Sequence, residues 1–450
     1  MRMEINIMKS LVHKIQTTVV LAAVLVLFGG CDLDVTNPNS ATEDDVLGSA
    51  EGVRAYVIGM QGVYSGDVYA DVVLNTGITT REMAINTTFS SLLELEDGGT
   101  ALPPENSRTN NIWNGLTRII NMSDQILAGA PNVITDEAEL SGIIALTSTY
   151  KAMALGYLIQ SFEQAPISAG NDVEFSSREQ VLSEVLTLLG NALTQITNTP
   201  PSTSFNNNVM LAGFDLENTI YAMQARYNLL AGNYQDAINA ADEVDPTVTS
   251  VFSFDGSTSR NPIFDAVASG DEGQEYAPRD NFGSPLTEAA DSRLDFYLIS
   301  EDVSSTPNGL PIDALAGFYI TPSSSIPVYL PGEMSLIRAE AYVQTDQPGL
   351  AVNEIDAIRT KQPSEDPFGV GADLPAYTGG LDDASLFEEI YYQRSAELYL
   401  TGMRFEDARR LGRPVPSDNP PLTAERNRVY YPYPTQERQN NPNTPENPPI

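Results

Sequence analysis

Apolar residues recur at every third or fourth position along most of the chain after residue 43. This spacing places them on one face of a helix, so the pattern predicts a mostly α-helical protein. The last of these helices has a capping box at its start, with Ser385 as the N-cap and Glu388 three residues later. The predicted helices are Asp44–Tyr64, Asn110–Leu127, Asp136–Phe162, Arg178–Ile196, Leu216–Leu230, Tyr234–Val244, Glu333–Val343, Leu350–Arg359 and Ser385–Thr401.

A spacing of nine and then twelve residues occurs three times in the second half of the chain. The three sets are Ala225–Tyr234–Ala237, Ala339–Pro348–Ala351 and Ala396–Phe405–Ala408. Small residues at these offsets let two antiparallel helices approach closely, with the middle residue packed at the turn. The pattern resembles the tetratricopeptide repeat, although generic alanine-bearing amphipathic helices would be the simpler interpretation of any single copy.

The repeats are interrupted, since their first alanines lie 114 and 57 residues apart. Two segments lack helical periodicity, at about 65–107 and 245–331, and they are predicted to be large irregular insertions on a helical scaffold. The last 37 residues, 414–450, contain 10 of the 30 prolines. This tail is predicted to be non-helical and to wrap the surface in extended form.

The N-terminus has the pattern of a signal peptide. Val19–Phe28 is an apolar run of ten residues that is too short to span a bilayer, and the basic residues before it favour Met8 over Met1 as the start. Phe28-Gly29-Gly30-Cys31 resembles a bacterial lipobox, in which the cysteine becomes the lipid-modified N-terminus. An ordinary secretory signal with an incidental cysteine is the alternative. The predicted organisation is a signal peptide over 1–30, a lipid-anchored tether over 31–42 and a single domain over 43–450.

The composition excludes several kinds of chemistry. His13 and Cys31 are the only histidine and the only cysteine, so a chain that begins at Cys31 has no catalytic histidine, no histidine-ligated zinc and no disulfide within it. The formal net charge is −36, which argues against binding to nucleic acid. An acidic chain with few lysines suits high salt, although an ordinary acidic surface is the alternative. We predict no cofactor and no metal, with structural calcium at an acidic loop such as Asp242–Asp245 left open.

Four stretches, together with the lipobox leader and the closing YYPYPTQERQNNPNTP, resemble the SusD/RagB family over nearly the whole mature chain. The C-terminal stretch corresponds to the family's Arg-x-x-Glu-Leu…Gly-x-Arg-x-x-Asp-x-Arg-Arg-x-Gly signature. The four stretches are NIWNGLTRIINMSDQIL around Trp113, DSRLDFYLI at Asp291–Ile299, IPVYLPGEMSLIRAEAY, and QRSAELYLTGMRFEDARRLG at Gln393–Gly412.

The resemblance implies a non-enzymatic lipoprotein of the outer membrane that faces the cell exterior. Members of the family capture oligosaccharides, or peptides in some cases, and deliver them to a SusC-like TonB-dependent barrel. Two other functions stay open from the residues alone. A glycoside hydrolase would need two carboxylates roughly 5–10 Å apart in a cleft, and an adhesive scaffold of the envelope would need no small-molecule site.

Several residues that could be mistaken for site residues are predicted to be structural. Trp113 has the helical spacing of a core residue, and Arg293 is expected to pair with Asp291 or Asp295. A C-terminal charge cluster is expected to form ion pairs within the scaffold; its members are Arg394, Glu397, Arg404, Asp407, Arg409 and Arg410.

Ligand binding is predicted on the two irregular insertions, because exposed rings and polar side chains suit a glycan. The alternative for each ring is that it fills a small core beneath a loop. The candidate binding residues are Tyr69, Arg81, Phe89, Tyr276, Arg279, Phe282, Phe318 and Tyr319.

Overall fold

Long amphipathic helices dominate the computed structural model, which describes residues 46–267, 274–300 and 306–450. The helices are α1 (Ala50–Val63), α2 (Tyr69–Thr79), α3 (Ser90–Asp97), α4 (Ser107–Val133), α5 (Glu137–Ser161), α6 (Arg178–Asn198), α7 (Thr203–Asn208), α8 (Leu216–Ala231), α9 (Tyr234–Glu243), α10 (Pro262–Val267), α11 (Ser292–Tyr297), α12 (Pro331–Gln344), α13 (Pro348–Arg359), α14 (Asp383–Glu397), α15 (Arg404–Arg410) and α16 (Thr435–Asn440). Each predicted helix is present, with shifted ends, so the mostly α fold class is confirmed.

Leu47–Ile450 forms one compact unit. The predicted leader, Cys31 and the tether lie outside the described residues.

The strands are short and form antiparallel pairs. β1 (Met83–Ile85) pairs with β5 (Tyr276–Pro278), and β2 (Gln164–Ala165) pairs with β3 (Ser176–Ser177). β4 (Val251–Phe252) pairs with β8 (Ile326–Pro327), and β6 (Leu298–Ile299) pairs with β7 (Ala314–Leu315). The strands therefore make only short, local connections between loops.

Helix α5 lies at the centre of the core. It is the one helix among the described residues that is long and apolar enough to cross a membrane, but 94% of its most apolar stretch is buried inside the protein. The neighbouring helices α4 and α6 pack against it through their apolar faces. At Gly156 the ring of Tyr227 approaches so closely that a Cβ would lie 2.1 Å from its hydroxyl, so glycine is required for this packing.

The three predicted helical hairpins are present as α8/α9, α12/α13 and α14/α15. Their six repeat alanines are fully buried, as close approach of the paired helices requires: Ala225, Ala237, Ala339, Ala351, Ala396 and Ala408. The pairing of β4 with β8 brings the end of the long insertion next to its beginning, so that the chain re-enters the helical scaffold where it left the scaffold. A buried ion pair between Arg226 of α8 and Glu333 of α12, with Nε–Oε1 at 2.6 Å, joins the hairpins on either side of the insertion.

The first predicted insertion, 65–107, is not irregular, and this prediction was wrong. A π-helical turn over Tyr64–Val68 connects α1 to α2, and β1 and α3 follow. Helix α2 is buried on almost every side, and its polar residues Asn75, Thr76 and Thr79 are buried with the apolar ones, so its sequence lacks the contrast between a buried apolar face and an exposed polar face.

Two further predictions need correction. The N-cap of α14 is Asp382, whose side chain accepts a hydrogen bond from the backbone N–H of Ser385, so Ser385 lies inside the first turn. The tail contains the short helix α16, and it does more than wrap the surface, since Asn427, Tyr431 and Tyr433 are fully buried.

Candidate functional site

The β1–β5 pair joins the two segments that were predicted to form the binding surface. Met83 pairs with Pro278 and Ile85 pairs with Tyr276. The backbone N–H of Arg279 extends the ladder by donating to the carbonyl oxygen of Glu82 at 2.9 Å. Residues that are almost 200 positions apart in the chain are therefore neighbours.

A cleft of about 240 Å³ lies at the end of this strand pair. Its walls come from the chain after α2, from the long insertion and from the C-terminal tail. The lining residues are Arg81, Arg279, Asp280, Asn281, Gly283, Ser284, Pro285, Leu422, Thr423, Ala424 and Glu425. We call this the Arg279 cleft.

The backbone on one side of the Arg279 cleft adopts an unusual conformation. Asn281, Phe282 and Gly283 have successive φ values of 50°, 55° and 61°, and Arg81 beside them has a φ of 68°. Left-handed backbone is costly for residues other than glycine and persists only where the surroundings enforce it. Glycine is required at the third position of the turn, because a Cβ on Gly283 would lie 1.7 Å from the carbonyl oxygen of Arg81.

The C-terminal signature holds this turn in place. Arg404 donates a hydrogen bond to the carbonyl oxygen of Phe282 at 2.5 Å. The ring of Phe282 is fully buried and packs against Tyr399, with the ring centroids 4.9 Å apart. Residues of the helical scaffold thus determine the shape of a loop that lines the cleft.

The side chain of Arg81 supports the wall that the tail forms and does not present its charge to the cleft. Its guanidinium donates to the carbonyl oxygens of Glu96 at 2.7 Å, Ala424 at 3.3 Å and Pro421 at 3.4 Å. The side chain is 1% exposed, and burial lowers its pKa to about 10. Arg81 therefore links the chain after α2 to the tail.

Arg279 lines the cleft and is the cationic group there that keeps hydrogen-bond donors available for a ligand. Its Nε donates to the carbonyl oxygen of Pro311 at 3.0 Å, and its Nη2 lies 3.6 Å from Asp280. Ser284 and Thr423 supply hydroxyls, while Glu425 is held by two hydrogen bonds from Arg413. Hydroxyl, amide and carboxylate groups around one guanidinium suit the paired hydroxyls of a sugar.

Most of the predicted binding rings are core residues. Tyr69, Tyr276, Phe282 and Tyr319 are buried, and Phe318 is half-buried against Phe296. This is the arrangement that the alternative interpretation of the rings described. Phe89, at 54% exposure, is the one predicted ring that is open to solvent.

Nine of the eleven lining residues were missing from the predicted set, among them Ser284, Thr423 and Glu425. Ser284 lies inside the predicted insertion but carries no ring or charge that would single it out. Thr423 and Glu425 belong to the tail, and no sequence pattern indicates that this part of the tail returns to the insertions.

The C-terminal charge cluster is part of the scaffold, as predicted. Arg394 pairs with Asp407 at 2.8 Å across the α14/α15 turn, and Arg410 pairs with both Asp407 and Glu340. Burial raises the pKa of Asp407 to about 6, against the opposing effect of the Arg394 charge.

Arg293 and Trp113 also have the predicted structural roles. Arg293 is fully buried and pairs with Asp291 at 2.7 Å and with Glu397 at 3.2 Å. Trp113 is 2% exposed and stacks on Phe175, with the ring centroids 5.7 Å apart.

The part of the chain that the structure describes contains no group of three or more His, Cys, Asp and Glu side chains that could hold a metal ion. In the acidic loop named above, Asp242 lies 3.5 Å from Arg338, and Asp245 accepts hydrogen bonds from Thr247. Both carboxylates therefore have protein partners.

Solved structures share this fold over their full length. A SusD superfamily protein from Bacteroides thetaiotaomicron matches with a TM-score of 0.67 and 17% identity, covering 89% of this chain and 100% of its own. A SusD-like carbohydrate binding protein from Bacteroides vulgatus matches with a TM-score of 0.67 and 14% identity, covering 89% and 98%. A second SusD superfamily protein from Bacteroides vulgatus has a TM-score of 0.68 and 15% identity, covering 89% and 99%. No protein-family model and no curated protein matches the sequence. The predicted SusD-like fold is confirmed.

Proposed function

We propose that this chain, which has the SusD-like fold, is a substrate-binding protein that captures oligosaccharides at the Arg279 cleft. The observation that carries the proposal is the construction of that cleft. Three segments far apart in the chain converge there, and the scaffold holds a left-handed turn at its edge. Strained backbone of this kind clusters at functional sites, where it fixes the geometry of the groups that bind a ligand.

The chemistry of the lining supports a glycan as the ligand. One guanidinium, one side-chain amide and two hydroxyls can pair with sugar hydroxyls, and Leu422 adds an apolar contact. The carbohydrate-binding description of one structural neighbour agrees with this choice. Peptide capture is the alternative within the same fold.

We further propose the setting in which this capture takes place. Acylation of Cys31 would hold the protein in the outer membrane facing the exterior, and a SusC-like TonB-dependent barrel would receive the ligand. In this scheme the chain binds and releases substrate without chemical change, and its lipid is the membrane attachment. The lipobox residues support the anchor, and the helical hairpins are the part of the chain that would dock on the partner protein.

Arg279→Gln is expected to weaken the binding of neutral oligosaccharides by about tenfold or more, because a hydrogen bond to a charged group contributes roughly 1.5–3 kcal/mol. The measurement is isothermal titration against those members of an oligosaccharide panel that bind the wild type. Arg260→Gln is the matched control, since it removes the same charge from an exposed ion pair with Asp265. Equal affinities for the wild type and R279Q would contradict the assignment of this cleft.

Purification of the full-length protein from the native outer membrane in mild detergent tests the proposed partner. The expected result is a stoichiometric complex with a TonB-dependent barrel, identified by mass spectrometry, and loss of that complex from the membrane fraction in Cys31→Ala. Recovery of the protein alone from membranes whose other complexes are intact would contradict the delivery role.

A further inference from the structure

A second cleft, of about 370 Å³, lies beside α4 and contains residues that the proposed function does not use. Trp113 and Ile120 of α4 form its apolar floor, and the segment that follows β2 forms one wall. Its polar lining includes Asn114, Arg118 and Asn121 from α4 and Ser168 from the opposite wall. We call it the Arg118 cleft. It shares no lining residue with the Arg279 cleft.

The walls of the Arg118 cleft are fixed by contacts on several sides. The β2–β3 pair closes the wall segment at its base. Asp124 of α4 accepts a hydrogen bond from the backbone N–H of Ala169 at 3.2 Å, and its other oxygen pairs with Lys151 at 2.6 Å. From the tail, Asn441 donates to the carbonyl oxygen of Val173 at 3.0 Å. The cleft is therefore pre-formed, as small-molecule sites usually are.

Arg118 differs from the other basic residues in the described part of the chain. The other 20 basic residues after Cys31 all donate to a carboxylate, a backbone carbonyl or another side chain. Arg118 is exposed, and it makes no hydrogen bond or ion pair with any described residue. In a chain with 60 acidic residues, a guanidinium that pairs with no described carboxylate is unusual.

The groups around Arg118 form a set that can hold a ligand. Asn114 and Asn121 lie one turn before and one turn after it, so all three side chains share a face of α4. Both amides are exposed. Glu437 also lines the cleft, but its two oxygens accept hydrogen bonds from Trp113 Nε1 at 3.3 Å and from Asn441 at 3.0 Å. Glu437 is thus turned toward the protein, while Arg118 is open to solvent.

We propose that the Arg118 cleft binds the carboxylate of an acidic sugar, a uronic acid unit of the captured oligosaccharide. The guanidinium fork matches a carboxylate in two parallel hydrogen bonds, and the flanking amides can pair with the ring hydroxyls. This inference rests on the proposed function and narrows it to glycans that carry acidic units. The net negative charge of the chain opposes such a ligand at low salt, and in 1 M salt screening confines that repulsion to about 3 Å.

The test exploits Trp113, which is the only tryptophan in the sequence and lies on the floor of this cleft. Its fluorescence therefore reports on the Arg118 cleft and not on the Arg279 cleft. The probes are D-galacturonate and D-glucuronate, each compared with D-galactose and D-glucose, which differ at C6 by the absence of the carboxylate. Titrations are carried out in 1 M NaCl with the full-length protein, and saturation-transfer NMR measures the binding of all four probes independently of the tryptophan.

We expect the two uronates to bind at least about tenfold more tightly than the matched neutral sugars and to change Trp113 emission. Arg118→Gln is expected to abolish this preference, whereas the control R260Q leaves it intact. Equal binding of uronates and neutral sugars to the wild type, or retention of the preference in R118Q, would overturn the proposal. Binding of neutral oligosaccharides that is lost in R279Q would still uphold the Arg279 cleft. Failure of both the four probes and the oligosaccharide panel to bind the wild type would overturn both assignments.

Discussion

Arg226→Met is expected to lower the free energy of unfolding by about 3–5 kcal/mol, because it leaves the carboxylate of Glu333 buried without a partner. The two side chains are 4% and 1% exposed, and they form two parallel hydrogen bonds of 2.6 and 2.7 Å. Since the pair joins α8 to α12 across the long insertion, its loss also weakens the junction between the repeat hairpins. Urea unfolding followed by circular dichroism at pH 7 measures the change.

The double variant R226M/E333L separates the buried charge from the packing. Replacing both partners by apolar residues of similar volume is expected to recover most of the lost stability, since a buried pair contributes little beyond its own desolvation. Arg260→Met is the control, because its pair with Asp265 is accessible to solvent, with side chains 40% and 36% exposed, and surface pairs contribute roughly 0–1 kcal/mol. A loss below about 1 kcal/mol in R226M would contradict the burial of the pair.

Gly283→Ala is expected to eliminate glycan binding at the Arg279 cleft. The new Cβ would lie 1.7 Å from the carbonyl oxygen of Arg81, so the turn and the chain after α2 would have to separate. This movement would displace Asn281 and Ser284 from the cleft and strain the hydrogen bond between Arg404 and Phe282. Binding of the oligosaccharides that R279Q weakens is the measurement, with circular dichroism to establish that the variant is folded.

Gly309→Ala provides a control with the same backbone penalty and no collision. Gly309 has a φ of 74°, and no atom of a described residue lies within 4 Å of the point that a Cβ would occupy, so alanine there incurs only the left-handed conformational cost of about 1–2 kcal/mol. We expect G309A to bind glycan like the wild type. Unchanged binding in G283A would show that the left-handed turn does not shape the site.

The helices with one buried and one exposed face were predictable, and the helix that is buried on almost every side was not. Helix α9 exposes Gln235 and Asn239 while it buries Ala237 and Ile238, so the helical period can be recognised in its sequence. Helix α2 buries nearly every residue, including the polar Asn75, Thr76 and Thr79, so its polar residues do not mark an exposed face. The same burial turned Tyr69 from a candidate binding residue into a core residue.

The candidate site was predictable only in part, because its geometry depends on contacts between distant segments. Composition indicated that both predicted insertions carry site residues, and the β1–β5 pair does bring Arg81 and Arg279 together. Nothing local shows that Arg81 adopts a left-handed backbone and turns its guanidinium toward carbonyl oxygens. The contribution of Thr423 and Glu425 likewise depends on the path of the tail, which Arg81 and Asn427 fix through hydrogen bonds.

Because nearly all of the described basic side chains are committed to partners within the chain, the charge that the protein presents to its surroundings is overwhelmingly negative. Diffusional encounter depends on this long-range field, whereas the lifetime of a complex depends on close contacts. The association rate with a partner that has a basic face will therefore be highest at low ionic strength. With a partner that has an acidic face, the association rate will rise as the ionic strength is raised. The ionic-strength dependence of the association rate thus reveals the sign of the partner's surface before its docking face is known.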